Sequence, residues 1–446
     1  MRSSKRNRRA FLCLGMMICL FLSNRTPNTM AQQTLKNELH AEIDRLAAEV
    51  EADVIAWRRD FHQHPELSNR EFRTAEKIAA FLKTLGLDVQ TEVAHTGVVG
   101  LLRCRDQGPV VALRADMDAL PVTEALDLPF ASRVKAEYNG QEVGVMHACG
   151  HDAHMAMLMG TAHVLSALQD RLPGSVKFIF QPAEEGTPEG EEGGAELMIR
   201  QGVLENPKPD VLFGLHVFPW TVGTITYCAG PAMASVDGLR IVVRGRQTHG
   251  AIPWGGVDPI VVASQIVMGL QTIVSRQLDI TQAPAVISIG SIHGGVRSNI
   301  IPESVEMIGT IRSLNPKMRE DIHRRIKHTA ERIAESGCAQ AEVTIDLGYP
   351  VVVNDPELTQ QMLPTLQRVV GQENVVPATP KTVAEDVAYY LQQIPGLFFF
   401  LGITPQGSDP AKAAMNHSPY FFVDESGLRL GVRALSSLAV DYMLSE

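Results

Sequence analysis

The chain has 446 residues, 45% of them hydrophobic and 20% charged. That apolar fraction excludes a disordered chain, and 36 Gly with 26 Pro are too few for a low-complexity one. A net charge of −10 argues against nucleic acid as a partner, because phosphate neutralisation needs a basic surface. The length fits two domains better than one.

Residues 1–31 carry six cations (Arg2, Lys5, Arg6, Arg8, Arg9, Arg25) and no Asp or Glu. The apolar run Ala10–Leu22 is too short to span a bilayer and has the length of a signal h-region, with Thr29-Met30-Ala31 as a cleavage site. The expectation is a signal peptide over 1–31, an exported protein in the periplasm or outside the cell, and no stable membrane insertion after processing. Losing six cations takes the net charge from −10 to −16. Arg8-Arg9-Ala10-Phe11-Leu12 resembles a twin-arginine export motif, although Asn7 stands where Ser or Thr is usual. Four Cys remain beyond the signal (Cys104, Cys149, Cys228, Cys338), and in an exported protein one or two disulfides are conceivable.

Leu35, Leu39, Ile43, Leu46 and Val50 have helical spacing, and a second helix fits Glu71–Leu85, stopped by Gly86. Apolar runs at Val98–Leu102 and Val110–Leu113 follow. Then come a helix over Ala153–Leu168, a strand Val176–Phe180, a helix Gly194–Leu204 and a strand Val211–Val217. Strands alternating with helices predict a mainly parallel α/β sheet, so 32–234 is read as the first part of an α/β domain. From about 235 the order changes to strand Gly238–Gly245, helix Pro259–Arg276, strands Ala285–Ile292 and Ser304–Ser313, helix Pro316–Ser336 and strand Ala341–Leu347. This β-α-β-β-α-β order is a ferredoxin-like α+β unit, predicted as an inserted domain over 235–345. The α/β domain then resumes over 346–446, with helices Pro356–Val370, Glu385–Gln393 and Asp424–Leu444 around a strand Leu397–Leu401.

Polar residues cluster at predicted strand ends, where α/β sheets place their sites. The clusters are Met146–His154, Gln181–Gly186, Gly214–Val217 and Asn416–Pro419. Thiolate, imidazole and carboxylate together suit a borderline-soft divalent ion. Cys149 just before a helix start is expected to have a lowered thiol pKa. Of the adjacent pair Glu184-Glu185, one carboxylate can bind metal while the other stays free as a base. A rival reading makes Cys149 a nucleophile with a nearby His, but no orienting third group is apparent. A binding module without catalysis is a third.

The strings FHQHPELS, LRADMDALPV, MHACGHDAH, QPAEEG, GLHV, THGAIP, GGVRSNIIP and NHSPYF resemble, in order and over nearly the whole mature chain, the dinuclear metallo-amidohydrolases of peptidase family M-twenty. The similarity is to the subgroup of hippuricases, N-acyl-amino-acid amidohydrolases and auxin-conjugate hydrolases. It implies two divalent ions per subunit (zinc, manganese, cobalt or nickel) on Cys149, His151, Glu185, His216 and His417. It also implies Glu184 as the general base and His249 as a lid residue that reaches the substrate carbonyl oxygen. Arg297 and Asn299 are then substrate-binding, and Asp116 and Asp118 support the ligands from behind. His62, His64 and Glu66 are expected to be structural, and His147 and His154 not to be ligands. The implied substrate is a small N-acyl amino acid or short peptide, with a dipeptidase or carboxypeptidase as the alternative, and a homodimer through the lid is implied by several relatives.

Overall fold

The computed structural model describes residues 27–105 and 108–445. The expected signal segment falls mostly in 1–26, outside the described residues. The first helix, Pro27–Gln63, is longer than the sequence spacing suggested. Its stripe of Leu39, Ile43, Leu46 and Val50 continues through Val54 to Phe61, all buried. An apolar face with helical spacing keeps the helix on the core for as long as it lasts.

Eight strands form one mixed sheet, in the order Asp88–Val93, Gly97–Arg103, Ser175–Gln181, Val110–Asp116, Val211–Thr221, Gly396–Thr404, Ile225–Tyr227 and Val375–Pro377. The four strands from Ser175–Gln181 to Gly396–Thr404 are parallel to one another. Ser175–Gln181 and Gly396–Thr404 are buried at every position, as parallel strands covered on both faces must be. Towards both edges the sheet turns antiparallel, at Gly97–Arg103 and at Ile225–Tyr227. Helices Pro27–Gln63, His151–Ala167, Pro356–Val370 and Leu428–Ser445 pack together as one layer. Helices Gly194–Arg200 and Ala388–Leu391 contribute to a second apolar cluster.

The smaller domain runs from Ser235 to Leu347. The four strands of its main sheet are all antiparallel, in the order Ala285–Gly294, Ser304–Ser313, Ser235–Arg244, Gln340–Leu347. Helices Pro259–Thr272 and Pro316–Ser336 pack against each other and the sheet. Each begins with Pro after a capping side chain: Asp258 accepts from the Ile260 N–H at 2.9 Å and Asn315 from the Met318 N–H at 3.1 Å. This is the inserted ferredoxin-like lid that the sequence order implied. Among the described residues, Pro259–Gln277 is the one stretch long and apolar enough to cross a membrane, but its Val262, Ala263, Ile266 and Leu270 are in the lid core.

Several details differ from expectation. The helix foreseen over Glu385–Gln393 is reduced to Ala388–Leu391, which leaves Glu385 and Asp386 in a turn. The helix from Pro259 loses its α geometry after Thr272 and ends in a wider turn, Ile273–Gln277. Cys104, Cys149, Cys228 and Cys338 are all free, so the conceivable disulfides are absent.

Candidate metal centre

The loop before helix His151–Ala167 needs glycine at 150. Gly150 has φ +92°, and a Cβ there would lie 2.3 Å from Cγ2 of Val217. This close approach seats the loop against strand Val211–Thr221 at Val217, the residue after His216. Cys149 Sγ is 3.4 Å from His216 Nε2. His216 Nδ1 donates to the Val217 carbonyl at 2.7 Å, and His151 Nδ1 donates to the Asp118 carbonyl at 2.8 Å. Both rings are thereby fixed with Nε2 bare. His417 reaches the cluster from a separate turn: its N–H donates to the Ala148 carbonyl at 2.8 Å, and its Nε2 lies 3.1 Å from Glu185 Oε1.

Glu184 and Glu185 sit on a turn whose amides are held on both sides. Glu71 Oε1 accepts from the Ala183 N–H at 3.0 Å and Asp118 Oδ2 from the Glu185 N–H at 2.9 Å. The Tyr349 hydroxyl donates to the Glu184 carbonyl at 2.7 Å. Behind Glu184, the fully buried Arg114 pairs with Asp116, with Glu385 at 3.0 Å and with Asp386 at 2.7 Å. His154 Nδ1 lies 3.3 Å from Asp116, and its Nε2 accepts from the Val217 N–H at 2.9 Å. His154 is thus occupied on both nitrogens and braces the His216 strand.

Burial, followed by the charges of Glu385, Glu185 and Asp116, pushes the Glu184 carboxyl well above its ordinary value. Glu385 is raised to about 8 by burial, with Arg114 opposing. Burial, and then His154 and His151, drive His216 well below the usual histidine value, which keeps it in the neutral form that ligates metals. The expectation for Cys149 is corrected. Burial and the charges of Glu185 and Glu184 raise its thiol well above normal. The partial charge of a helix end does not offset two nearby carboxylates and complete desolvation. What favours the thiolate at such a position is a bound cation.

The residues fit a pair of divalent ions. Cys149, His151 and His216 offer donor atoms all within 4.8 Å of one another, and so do Cys149, Glu185 and His417. The two groups share the Cys149 sulfur. His151 Nε2 is buried without a hydrogen-bond partner, which is costly unless something else satisfies it. Sulfur, imidazole and carboxylate form the donor set of zinc and its first-row neighbours. Cys149, Glu185, His216 and His417, with Glu184, Phe218, Tyr349 and Phe400, line a cavity of about 230 Å³. A larger groove of about 880 Å³, beside helix Phe72–Thr84, gathers no such donor group among the described residues.

The structure does not bring every sequence-named residue to this cavity. His249 pairs with Ile300 in a two-residue ladder, and the Gly250 N–H donates to the Asn299 carbonyl at 2.8 Å. His249, Arg297 and Asn299 therefore share one exposed edge of the lid, and none of them lines the cavity. His62 is buried between Asp152 at 2.8 Å and Glu124 at 3.2 Å, joining three segments of the catalytic domain. His147 is buried with no hydrogen-bond partner on either nitrogen.

A family model for peptidase family M20/M25/M40 matches residues 112–441. The chain belongs to peptidase family M20. It is 41% identical over 401 residues to thermostable carboxypeptidase 2 of Saccharolobus solfataricus, covering 88% of this chain and 96% of that one. It is 36% identical over 398 residues to IAA-amino acid hydrolase ILR1-like 4 of Arabidopsis thaliana, covering 88% and 86%. Among solved structures, the dinuclear metal-binding M20 peptidase YXEP of Bacillus subtilis superposes with a TM-score of 0.75 at 36% identity, covering 89% of this chain and 99% of that one. This M20 chain is a metal-dependent amidohydrolase with a dinuclear site.

Sequence reasoning passed over Arg114, Glu71 and Tyr349 as parts of this M20 site. An arginine inside an otherwise apolar central strand was the available signal for Arg114.

Proposed function

We propose that this M20 enzyme hydrolyses the amide bond of small N-acyl amino acids, releasing a carboxylic acid and an amino acid. The observation that carries the reading is Glu184, a buried carboxyl beside the Cys149, His151, His216, Glu185 and His417 donors. The IAA-amino acid hydrolase relatives favour it, and the carboxypeptidase relatives keep short peptides as the alternative.

When bound, two divalent ions (zinc, manganese, cobalt or nickel) supply Lewis acidity to the carbonyl and make water more acidic. Glu184 takes a proton from the attacking water and passes it to the leaving amine. His249 stabilises the oxyanion once the lid closes, and Arg297 pairs with the α-carboxylate with Asn299 alongside. Closure is required because all three residues stand off the cavity in the present arrangement.

Two further readings belong with this one. Helix Pro259–Thr272 exposes 52% of Val261 and 70% of Met268, an apolar face suited to pairing lids in a homodimer. Light scattering of wild type and Met268→Glu tests it. Export follows from the cation-then-apolar pattern of residues 1–31, and cell fractionation tests that. The activity itself is tested with N-acetyl, N-benzoyl and dipeptide substrates assayed on protein of measured metal content. Cleavage of dipeptides alone would replace the main reading by the alternative, and cleavage of none would remove both.

A further inference from the structure

Strand Val211–Thr221 continues past His216 with Phe218 and Trp220 at alternate positions. Alternation puts them on the His216 face, at about 7 Å per two residues. Phe400 is the partner of His216 on the neighbouring strand, and Phe218 and Phe400 both line the metal cavity. Over these rings lies one ammonium group. Lys381 Nζ is 4.4 Å from the Phe218 ring centroid, 4.8 Å from that of Trp220 and 5.2 Å from that of Phe400. Its backbone is fixed there, donating to the Ala232 carbonyl at 2.9 Å and accepting from the Ala234 N–H at 3.0 Å.

Aromatic faces hold a cation in place but do not neutralise it. Among the described residues no carboxylate pairs with Lys381. The buried Lys177 behaves differently: its Nζ donates to the carbonyls of Val203, Glu205 and Pro207 at 2.7–2.8 Å. Two more polar atoms around the same rings also lack partners. Trp220 Nε1 is buried with no acceptor, and so is Thr226 Oγ1, on the residue paired with Phe400 across the ladder. An ammonium, an indole N–H and a hydroxyl, all without acceptors at one aromatic wall, are complementary to an anion.

We infer that Lys381, with Trp220, forms a carboxylate-binding subsite at the Phe218 and Phe400 wall of the metal cavity, which selects substrates carrying a second carboxylate remote from the amide that is cleaved. The inference rests on the amidohydrolase reading and narrows its substrate class. Phe218 and Trp220 stand two and four residues beyond the His216 donor, about 7 Å and 13 Å along the strand, whereas an α-carboxylate sits one carbon from the scissile nitrogen. The carboxylate must stand several atoms away. It belongs either to a dicarboxylic acyl group or to an acidic amino-acid side chain.

Steady-state kinetics on two matched pairs separate these sources: N-glutaryl-alanine against N-valeryl-alanine, and N-acetyl-glutamate against N-acetyl-glutamine. Wild type should prefer the charged member of at least one pair. Lys381→Met should raise KM for that member at least tenfold, with kcat and the neutral member changed less than twofold. A response confined to the first pair assigns the acyl side, and one confined to the second the amino-acid side. Equal effects on charged and neutral members, or no charge preference in wild type, overturn the subsite. Calorimetric titration with glutarate decides the matter without turnover. Saturable binding to wild type, weakened at least tenfold in Lys381→Met, supports the subsite. Absent binding, or binding that the substitution leaves unchanged, ends it. Failure to hydrolyse any of the four compounds would count against the N-acyl-amino-acid reading while the titration still judges the subsite.

Discussion

Glu71 Oε1 accepts the Ala183 N–H at 3.0 Å, one residue before Glu184. The other oxygen of the same carboxyl accepts the Thr96 hydroxyl at 2.6 Å. With Asp118 on the Glu185 N–H, two buried acids bracket the Glu184-Glu185 dipeptide. Ala183 itself has φ +53°, a left-handed conformation that a side chain resists by about 1–2 kcal/mol. Glu71 therefore holds a strained turn in place.

Glu71→Ala leaves the buried Ala183 N–H without an acceptor, at a cost of about 1–3 kcal/mol. The expected outcome is a loss of stability of that size and at least a tenfold fall in kcat. Burial and Asp118 raise the Glu71 carboxyl to about 8, so near pH 7 it is mostly neutral. Glu71→Gln, whose amide oxygen can accept the same N–H, should recover most of both losses. Urea unfolding, kcat and metal stoichiometry measured on the two variants check this. A Gln variant as impaired as the Ala variant would mean that the charge matters and the acceptor does not.

Glu184→Ala should abolish nearly all turnover, by about 10²–10⁴-fold for a lost proton shuttle. Metal stoichiometry should hold, since the two donor triads built on Cys149 do not contain Glu184. Elemental analysis beside single-turnover assays reads both. Near-normal turnover in this variant would remove Glu184 from the base role, and loss of metal would recast it as a ligand.

Gly150→Ala tests the loop that seats Cys149 and His151. The added Cβ meets Val217 Cγ2 at 2.3 Å, and the left-handed φ of +92° disfavours alanine by itself. Destabilisation of about 2 kcal/mol or more is expected, together with weaker metal retention on dialysis, because the two donors flank the displaced backbone. Melting curves and metal content after dialysis supply the readout. A variant of wild-type stability that retains its metal would show that the loop has room to move.

The lid's strand and helix order was legible because each element carries its own hydrophobic period and Asn315-Pro316 opens the second helix. The edges of the large sheet were not. Ile225–Tyr227 and Val375–Pro377 are three-residue strands, too short to show alternation, and the reversal to antiparallel pairing depends on neighbours distant in the chain. The donor residues stood out because they are chemically dense within short motifs. Arg114 did not, because its partner Asp386 is 272 residues away and no local spacing reveals such a pair. Glu71 was read as the first residue of a helix, and only the fold places its side chain under the Ala183 amide.

Exhaustive chelation of the purified enzyme should abolish activity, and a single divalent metal added back should restore it. The same treatment separates metal chemistry from a Cys149 nucleophile. Cys149 lies 3.4 Å from His216, close enough for a thiol–imidazole couple, yet its surroundings favour the protonated thiol. Activity that survives chelation and then falls on alkylation of Cys149 would reverse the assignment. Recovery should track the metal bound, measured by elemental analysis on the assayed samples.

Acid sensitivity of the lid should be set in part by Asp237, at the start of its first strand. Arg319 and His323 hydrogen-bond its carboxylate, the latter at 2.7 Å, and the Gly348 N–H donates to it at 3.2 Å. Burial alone would raise this group, but the hydrogen bonds from Arg319 and His323 outweigh burial and hold it at about 2. A depressed carboxyl contributes stability that is fully present above its unfolded value of about 3.9 and is lost as pH falls through the folded value. The contribution should therefore fade between about pH 4 and pH 2. Asp237→Asn removes it at every pH, so the stability gap between wild type and variant should be widest above pH 5 and close towards pH 2. Urea unfolding of both proteins across that range measures the gap. A gap independent of pH would show that Asp237 acts through its shape and hydrogen bonds alone, with no part played by its charge.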